Sequence, residues 1–489
     1  MKLFYRYIAT RTFLFSLLGT GLMLGGCKKF VQIPSPTTQL ATASVFSNPA
    51  AATSAQLNIY IKMYNESSSM AQATGLLSDE LFNYSKNASL LQYYTNSMLA
   101  LQNPGPWVTG YNYIYQANSI IGNLQNNGNI PAPVAAQLTG ESKFIRAYWH
   151  FYLTNLYGDV PLIVTTDYTI NRLLPRTPQA QVYQQIIADL KDAAGYLNSN
   201  YVDASDTTQT TERIRPTKAA AAAMLARVYL YTKKYDSAEA EANLVINNGS
   251  LYSLCTNLSS SMGTNYVFQK NSTEAIWQLS PPLPTAIFTN ETSTFILKAL
   301  PGTGVSQSAT ISPQLLSSFE PNDKRQAKWI GTYPSTGTGA KYYYPYKYQA
   351  IPSGTVTSLA NVPEYLMMLR LAEQYLIRAE ARAQQQNLTG AIADLNAIRH
   401  RAGLPDYSGT VDLTSILTAI LHERQVELFT EWGHRWLDLK RSGTLDAVMG
   451  GASGVCHAKG GTWASTDQWY PVPQNEILNN SNLKQNSGY

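Results

Sequence analysis

The chain of 489 residues is long enough to bury one large core or two ordinary ones. Its 44% hydrophobic and 14% charged residues are the reverse of a disordered composition, so it folds. The formal charge of +5 drops to +2 without Lys2, Arg6 and Arg11, three cations of an N-terminal leader, which leaves no basic surplus for nucleic acid or acidic membranes.

Those cations precede residues 12–24, which are apolar or small throughout, the n-region and h-region of a secretory signal. A helical membrane span needs about 20 apolar residues, more than this stretch offers. The leader ends Leu24-Gly25-Gly26-Cys27, which resembles the bacterial lipobox: one large aliphatic residue, two small ones, then cysteine. That resemblance implies a signal peptide over 1–26, cleavage before Cys27 and acylation of its thiol, with several acyl chains making the anchor stable. Residues 27–38 then read as a Pro-containing lipidated tether, and 39–489 as a single domain. No later segment is long and apolar enough to span a bilayer. Cys255 and Cys456 either pair or stay as free thiols, and no CxxC or Cys/His metal spacing exists.

Helical patterning dominates the chain beyond the tether. Over 141–157, Lys143, Arg146 and His150 fall on one stripe while most other positions are apolar or aromatic, predicting a largely buried helix that stops at Gly158 and Pro161. Two stretches, 216–248 and 364–402, read as helical hairpins with breaks at Lys233–Asp236 and Gln386–Thr389. Small residues stand where helices cross closely, as in tetratricopeptide-type repeats. Helices over 178–198 and 412–431 extend the array. The fold class is mainly α: a hairpin scaffold over about 133–249 and 363–445. It supports a loop-rich region over about 250–362 that is rich in Ser, Thr, Gly, Pro and Asn, with few short strands such as Glu274–Leu279.

Aromatic usage is lopsided, with 33 Tyr and 8 Trp against 13 Phe, which suggests many rings with one wet end. Sugars lay patches of C–H flat on ring faces, and amide or charged side chains nearby satisfy the hydroxyls. Two regions offer this mixture. In 79–111 the candidates for ligand contact are Asn83, Tyr84, Tyr94 and Trp107. In 277–348 they are Trp329 and Tyr333, beside the run KYYYPYKY at 341–348, whose alternation also reads as a strand with one buried face.

Catalytic chemistry is not indicated. His422-Glu423 lacks the second histidine of a zinc motif, and no nucleophile elbow, phosphate loop or dinucleotide fingerprint exists. Asp79-Glu80 is an acid pair, but adjacent residues do not face each other across a bond as glycosidase carboxylates do. Glu423, Glu427 and Glu431 form one helical stripe, read as a charge network that fixes the last helices. No cofactor, metal or catalytic residue is assigned.

These segments also carry a resemblance. Trp107-x-x-x-Tyr111, Gly140-Glu141-Ser142-Lys143-Phe144-Ile145-Arg146-Ala147-Tyr148, Tyr157-Gly158-Asp159-Val160-Pro161-Leu162, Arg378-Ala379-Glu380-Ala381, Asn396-x-x-Arg399-x-Arg401-Ala402-Gly403, Arg435-Trp436-x-Asp438-Leu439-Lys440-Arg441 and Tyr470-Pro471-Val472-Pro473 stand in order along the chain. Together they resemble the SusD/RagB-like outer-membrane lipoproteins of Bacteroidota, departing at Ser481 and Ser487, where proline is usual. The resemblance implies a non-enzymatic, surface-facing binding protein that captures a glycan and passes it to a TonB-dependent SusC-like β-barrel. Peptide capture, or a structural lid without its own ligand, are its alternatives. It also implies that Trp107 and Lys347-Tyr348 serve the scaffold.

Overall fold

Alanine-rich segments with one aromatic or aliphatic side chain per turn become the helices of a mainly α fold. The computed structural model describes residues 45–282, 288–302, 307–334, 339–350 and 358–489. The leader, Cys27 and the tether lie outside them.

The long helices are α1 (Pro49–Tyr64), α2 (Ser67–Leu77), α3 (Ala88–Tyr94), α4 (Trp107–Leu124), α5 (Ala132–Tyr157), α6 (Gln179–Tyr196), α7 (Lys218–Tyr231), α8 (Tyr235–Ile246), α9 (Leu371–Gln384), α10 (Leu388–Arg401), α11 (Leu413–Leu428) and α12 (His434–Ser442). Each of α4 to α10 packs on the next, and α9 also packs on α11. The array therefore runs unbroken in space although the loop-rich region separates α8 from α9 in the chain. Both expected breaks fall in place. Lys233 and Gln386 turn the chain with φ of 57° and 65°, in the left-handed region. Side chains of Thr217, Asn387 and Asp412 cap α7, α10 and α11 by accepting backbone N–H groups of the first turn.

Buried arginine–carboxylate pairs staple the array from within. Arg146 on α5 grips Asp189 on α6 at 2.8 and 2.6 Å. Arg227 on α7 grips Glu373 on α9 at 2.7 and 2.6 Å, and Arg378 on α9 grips Asp394 on α10 at 2.9 and 2.6 Å. Each is a fork matching both carboxylate oxygens, the geometry that makes arginine suited to buried pairs.

The hairpin expected from residue 364 begins later. Residues 366–370 form a strand rather than helix, pairing antiparallel with Ala275–Leu279. Both segments are buried throughout, and a short continuous apolar run carries no period that separates buried strand from buried helix. The strand ends at Arg370, and α9 starts at the next residue.

His150 illustrates how dry this scaffold is. It is fully buried on α5, with Nδ1 3.0 Å from the Arg146 carbonyl oxygen. Burial, with the Arg146 charge nearby, pushes its pKa down to about 3. The unfolded chain takes up a proton near pH 6.5 that the native state refuses. Stability from this group is therefore complete above that pH and is lost as pH falls towards 3, at up to about 1.4 kcal/mol per unit. Denaturant unfolding between pH 6 and 4 is expected to show a shallower pH slope in His150→Gln than in the native protein. Equal slopes would mean that the native imidazole is protonated.

Candidate functional site

Two small antiparallel ribbons meet at one edge of the scaffold. In the first, β1 (Leu81–Asn83) pairs with β3 (Ala309–Ile311), and the Tyr84 N–H extends the ladder to the Ser308 carbonyl at 2.7 Å; β2 is the Ala275–Leu279 strand of the scaffold. In the second, β4 (Ile330–Pro334) pairs with β5 (Lys341–Pro345), and β3 packs alongside β5.

Register decides which side chains share a face. Tyr333 stands opposite Tyr342, and Gly331 opposite Tyr344. Paired residues project to the same side of a ribbon, and positions two apart along a strand do too. Tyr333, Tyr342, Tyr344 and, just past the strand, Tyr346 thus line one face, all partly exposed. Tyr343, on the other side, packs against the core, where Pro345 and Lys347 are buried. Tyr84 joins from the first ribbon: its ring meets Tyr342 edge-on at 5.7 Å and is 37% exposed. Tyr344 and Tyr346 form a second edge-on pair at 5.8 Å. The result is a row of five phenols, each with a ring part wet and part supported.

Gly331 is required here. A Cβ on it would lie 2.3 Å from the Tyr344 ring, which covers this position. Gly331→Ala is expected to displace that ring and weaken ligand binding about as much as Tyr344→Ala, which titration of the two variants in parallel would check. Wild-type affinity in Gly331→Ala would place Tyr344 outside the contact surface.

The hairpin is anchored at both ends in buried charge. Trp329 precedes β4 and Lys347 follows β5. The Trp329 indole donates to the Leu258 carbonyl at 2.8 Å, and Lys347 Nζ sits 5.0 Å from its ring centre. Lys347 also donates to Glu431 at 2.5 Å and to the Glu427 carbonyl at 2.8 Å. Burial pushes the Lys347 ammonium down to about 8 despite Glu431 beside it. Beyond lies a network of Arg325, Arg370 and Arg401 with Glu274, Glu423, Glu427 and Glu431, every member buried. Glu427 is its centre and pairs with all three arginines. Burial would raise its pKa, but Arg401, Arg370 and Arg325 hold it well below the usual carboxylate range. The helical stripe of three glutamates is this network, as its spacing suggested.

Of the candidate ligand residues, the structure brings Tyr84 and Tyr333 together on one face, linked through Tyr342. Asn83 lies beside Tyr84 but is spent on a turn: its side chain accepts from the Ser85 N–H at 3.0 Å and donates to the Ser85 carbonyl at 3.1 Å. Three candidates are corrected. Trp329 is 0% exposed, its face given to cations and its N–H to the backbone. Trp107 is 2% exposed and packs edge-on against Tyr111 and Tyr157. Tyr94 is 8% exposed, beneath Phe82 and Lys459. The strand alternation was the signal for Tyr342, Tyr344 and Tyr346, but it did not say which face was dry.

The acid pair is used structurally. Asp79 forks onto Arg435 at 2.8 and 2.6 Å, and the buried Glu80, raised to about 8 by burial and then by Asp79, takes the Thr430 N–H. Among the described residues no cluster of three or more His, Cys, Asp or Glu side chains could hold a metal ion. Cys255 and Cys456 are both buried free thiols.

The helical hairpin scaffold with its loop-rich half is the fold of SusD-like proteins of solved structure. Residues 289–489 match the SusD family, and residues 37–230 match a family described as starch-binding associating with outer membrane. The chain belongs to the SusD/RagB family. It is 28% identical over 436 residues to SusD-like protein P2 of Formosa agariphila, covering 78% of this chain and 80% of that one. A laminarin-binding SusD-like protein of solved structure superposes with a TM-score of 0.69 at 23% identity, over 90% of this chain and 100% of that one. Surface glycan-binding protein A from Bacteroides fluxus superposes with a TM-score of 0.70 at 21% identity, over 90% of this chain and 99% of that one.

Proposed function

We propose that the protein captures a glycan on the tyrosine face and hands it, chemically unchanged, to a TonB-dependent β-barrel in the outer membrane. The observation that carries this reading is the row Tyr84, Tyr342, Tyr333, Tyr344 and Tyr346, partly wet and braced from beneath. Rings held this way give a sugar chain flat apolar contact at low entropic cost, and each hydroxyl adds a polar handle. The family's starch-binding description and the laminarin-binding and glycan-binding relatives support the same ligand class. Acylated Cys27 would hold the protein at the outer leaflet facing the cell exterior, with residues 27–38 as the tether.

Calorimetric titration against soluble polysaccharides, laminarin and starch included, and against peptides tests the proposal. Saturable heat with one polysaccharide class, absent for peptides, is the expected result. Binding of peptides alone would replace it with peptide capture, and retrieval of a β-barrel partner without any ligand heat would favour a structural lid. Cys27→Ser is expected to move the protein from the membrane fraction to the soluble fraction and to abolish palmitate labelling.

A further inference from the structure

A groove of about 490 Å³ runs along the outer side of α4, between that helix, the segment 161–172 and the short helix Gln474–Asn479. Its α4 wall is one helical stripe: Trp107, Val108, Tyr111 and Tyr115. Trp107 is buried, whereas Val108 is 57% and Tyr115 53% exposed. Ile170 and Leu478, each the chain neighbour of an asparagine in the lining, are 53% and 72% exposed. Single exposed apolar side chains are ordinary, but several around one groove mark a surface that something else covers. Arg172 and Glu476 also line it, and neither forms an ion pair among the described residues.

The chain carries a segment with the complementary need. Residues 28–44 precede the described ones, and Phe30, Val31 and Ile33 stand there among polar and small neighbours. Linkers that stay in water are poor in aromatic and β-branched residues, because nothing covers them. Pro34 fixes its own φ and biases Ile33 towards extended backbone, the form that lies along a groove. Lys28 and Lys29 come directly before and match the unpaired Glu476 in charge. The reach is sufficient. The start of the described chain is tied to the far end of α4, where the Phe46 carbonyl accepts from the Asn127 side chain at 3.0 Å, just past Leu124. From Leu124 back to Trp107 is about 26 Å of helix, whereas residues 31–44 span up to about 46 Å when extended.

We propose that residues 28–33 fold back along α4 and fill this groove, with Phe30, Val31 and Ile33 on its apolar lining and a lysine beside Glu476. Groove and segment belong to one chain, so the segment meets the groove at an effective concentration in the millimolar range, above that of a partner in solution. The inference is independent of glycan capture. Its consequence for the cell rests on acylation of Cys27. Docked, the chain keeps only Lys28 and Lys29 between lipid and groove, so the α4 flank lies against the membrane. Undocked, residues 28–45 would let the domain stand up to about 60 Å away.

The test uses the mature chain from residue 27 with Cys27→Ser, so that neither lipid nor detergent competes for the groove. Chymotrypsin cuts after Phe30, and mass spectrometry of the released end gives the rate. Cleavage is expected to be about 10-fold faster in Tyr115→Ser, which removes one apolar contact from the docked segment. Tyr115 is half exposed, so this variant should fold, and an unaltered melting temperature would show it. Disulfide trapping reads the same contact directly. Ile33→Cys paired with Tyr115→Cys is expected to close a bridge within one chain on mild oxidation. Ile33→Cys paired with Leu244→Cys, on an exposed position of α8 four helices along the array, is expected to stay open. Native Cys255 and Cys456 are buried and take no part. Equal cleavage rates overturn the proposal, as do equal yields from the two cysteine pairs. A bridge at position 115 that joins two chains also overturns it, by giving the groove to a second copy.

Discussion

Glu427→Ala is expected to cost about 3–5 kcal/mol, the usual penalty for removing one partner of a buried ion pair. Arg325, Arg370 and Arg401 would then face each other across the space the carboxylate filled, with Glu423, Glu274 and Glu431 left to neutralise them. A typical protein is stable by only about 5–15 kcal/mol, so the loss is a large share of the total. It should reach the hairpin as well. Lys347 bonds the Glu427 carbonyl and Glu431, and Trp329 lies under the same cations, so both ends of the tyrosine ribbon hang from this point. Urea unfolding of the variant measures the cost directly. A change below about 1 kcal/mol would mean that the arginines re-pair freely, and the ribbon would then have to draw its rigidity from packing alone.

Replacing Tyr333, Tyr342 and Tyr344 together by alanine is expected to weaken glycan binding at least about 100-fold. Central aromatic contacts each commonly cost about 2 kcal/mol or more when truncated, and tenfold corresponds to about 1.4 kcal/mol. The three rings are partly exposed and outside the charge network, so folding should survive, which circular dichroism and the melting temperature would verify. Tyr342→Phe offers a finer comparison. It keeps the ring against Tyr84 and removes only the hydroxyl, so most of the affinity should remain if the rings act as platforms. Unchanged binding in the triple variant would move the site elsewhere.

Much of the scaffold was legible because its signals are local. Small residues mark helix crossings, the short breaks at Lys233–Asp236 and Gln386–Thr389 separate the helices of each hairpin, and the spacing of Glu423, Glu427 and Glu431 marks one helical stripe. Residues 366–370 escaped because a five-residue apolar run has no period. The site was legible only in part. Tyr84 and Tyr333 were named as candidates and lie on the proposed face, but Trp329 carries the same local signals and is buried. What separates them is not in their neighbourhood of sequence: Trp329 is covered by Lys347, Arg370 and Arg401, drawn from three later segments. A single chain records which residues have rings and not which rings end up dry.

The way this surface is stitched bears on when it comes into being. Tyr84 extends a ladder with residues 309–311, Asp79 is held by Arg435, and Lys459 seals the end of α2 through the Leu76 carbonyl, 383 positions away. Contacts of such span form late, since the closure entropy of the intervening loops must be met before they contribute. In a chain made amino end first, the segment bearing Tyr84 must wait for Ser308 and Tyr342 before its ladder and ring contact can form. The tyrosine face is thus a property of the finished molecule, absent from any partly folded form.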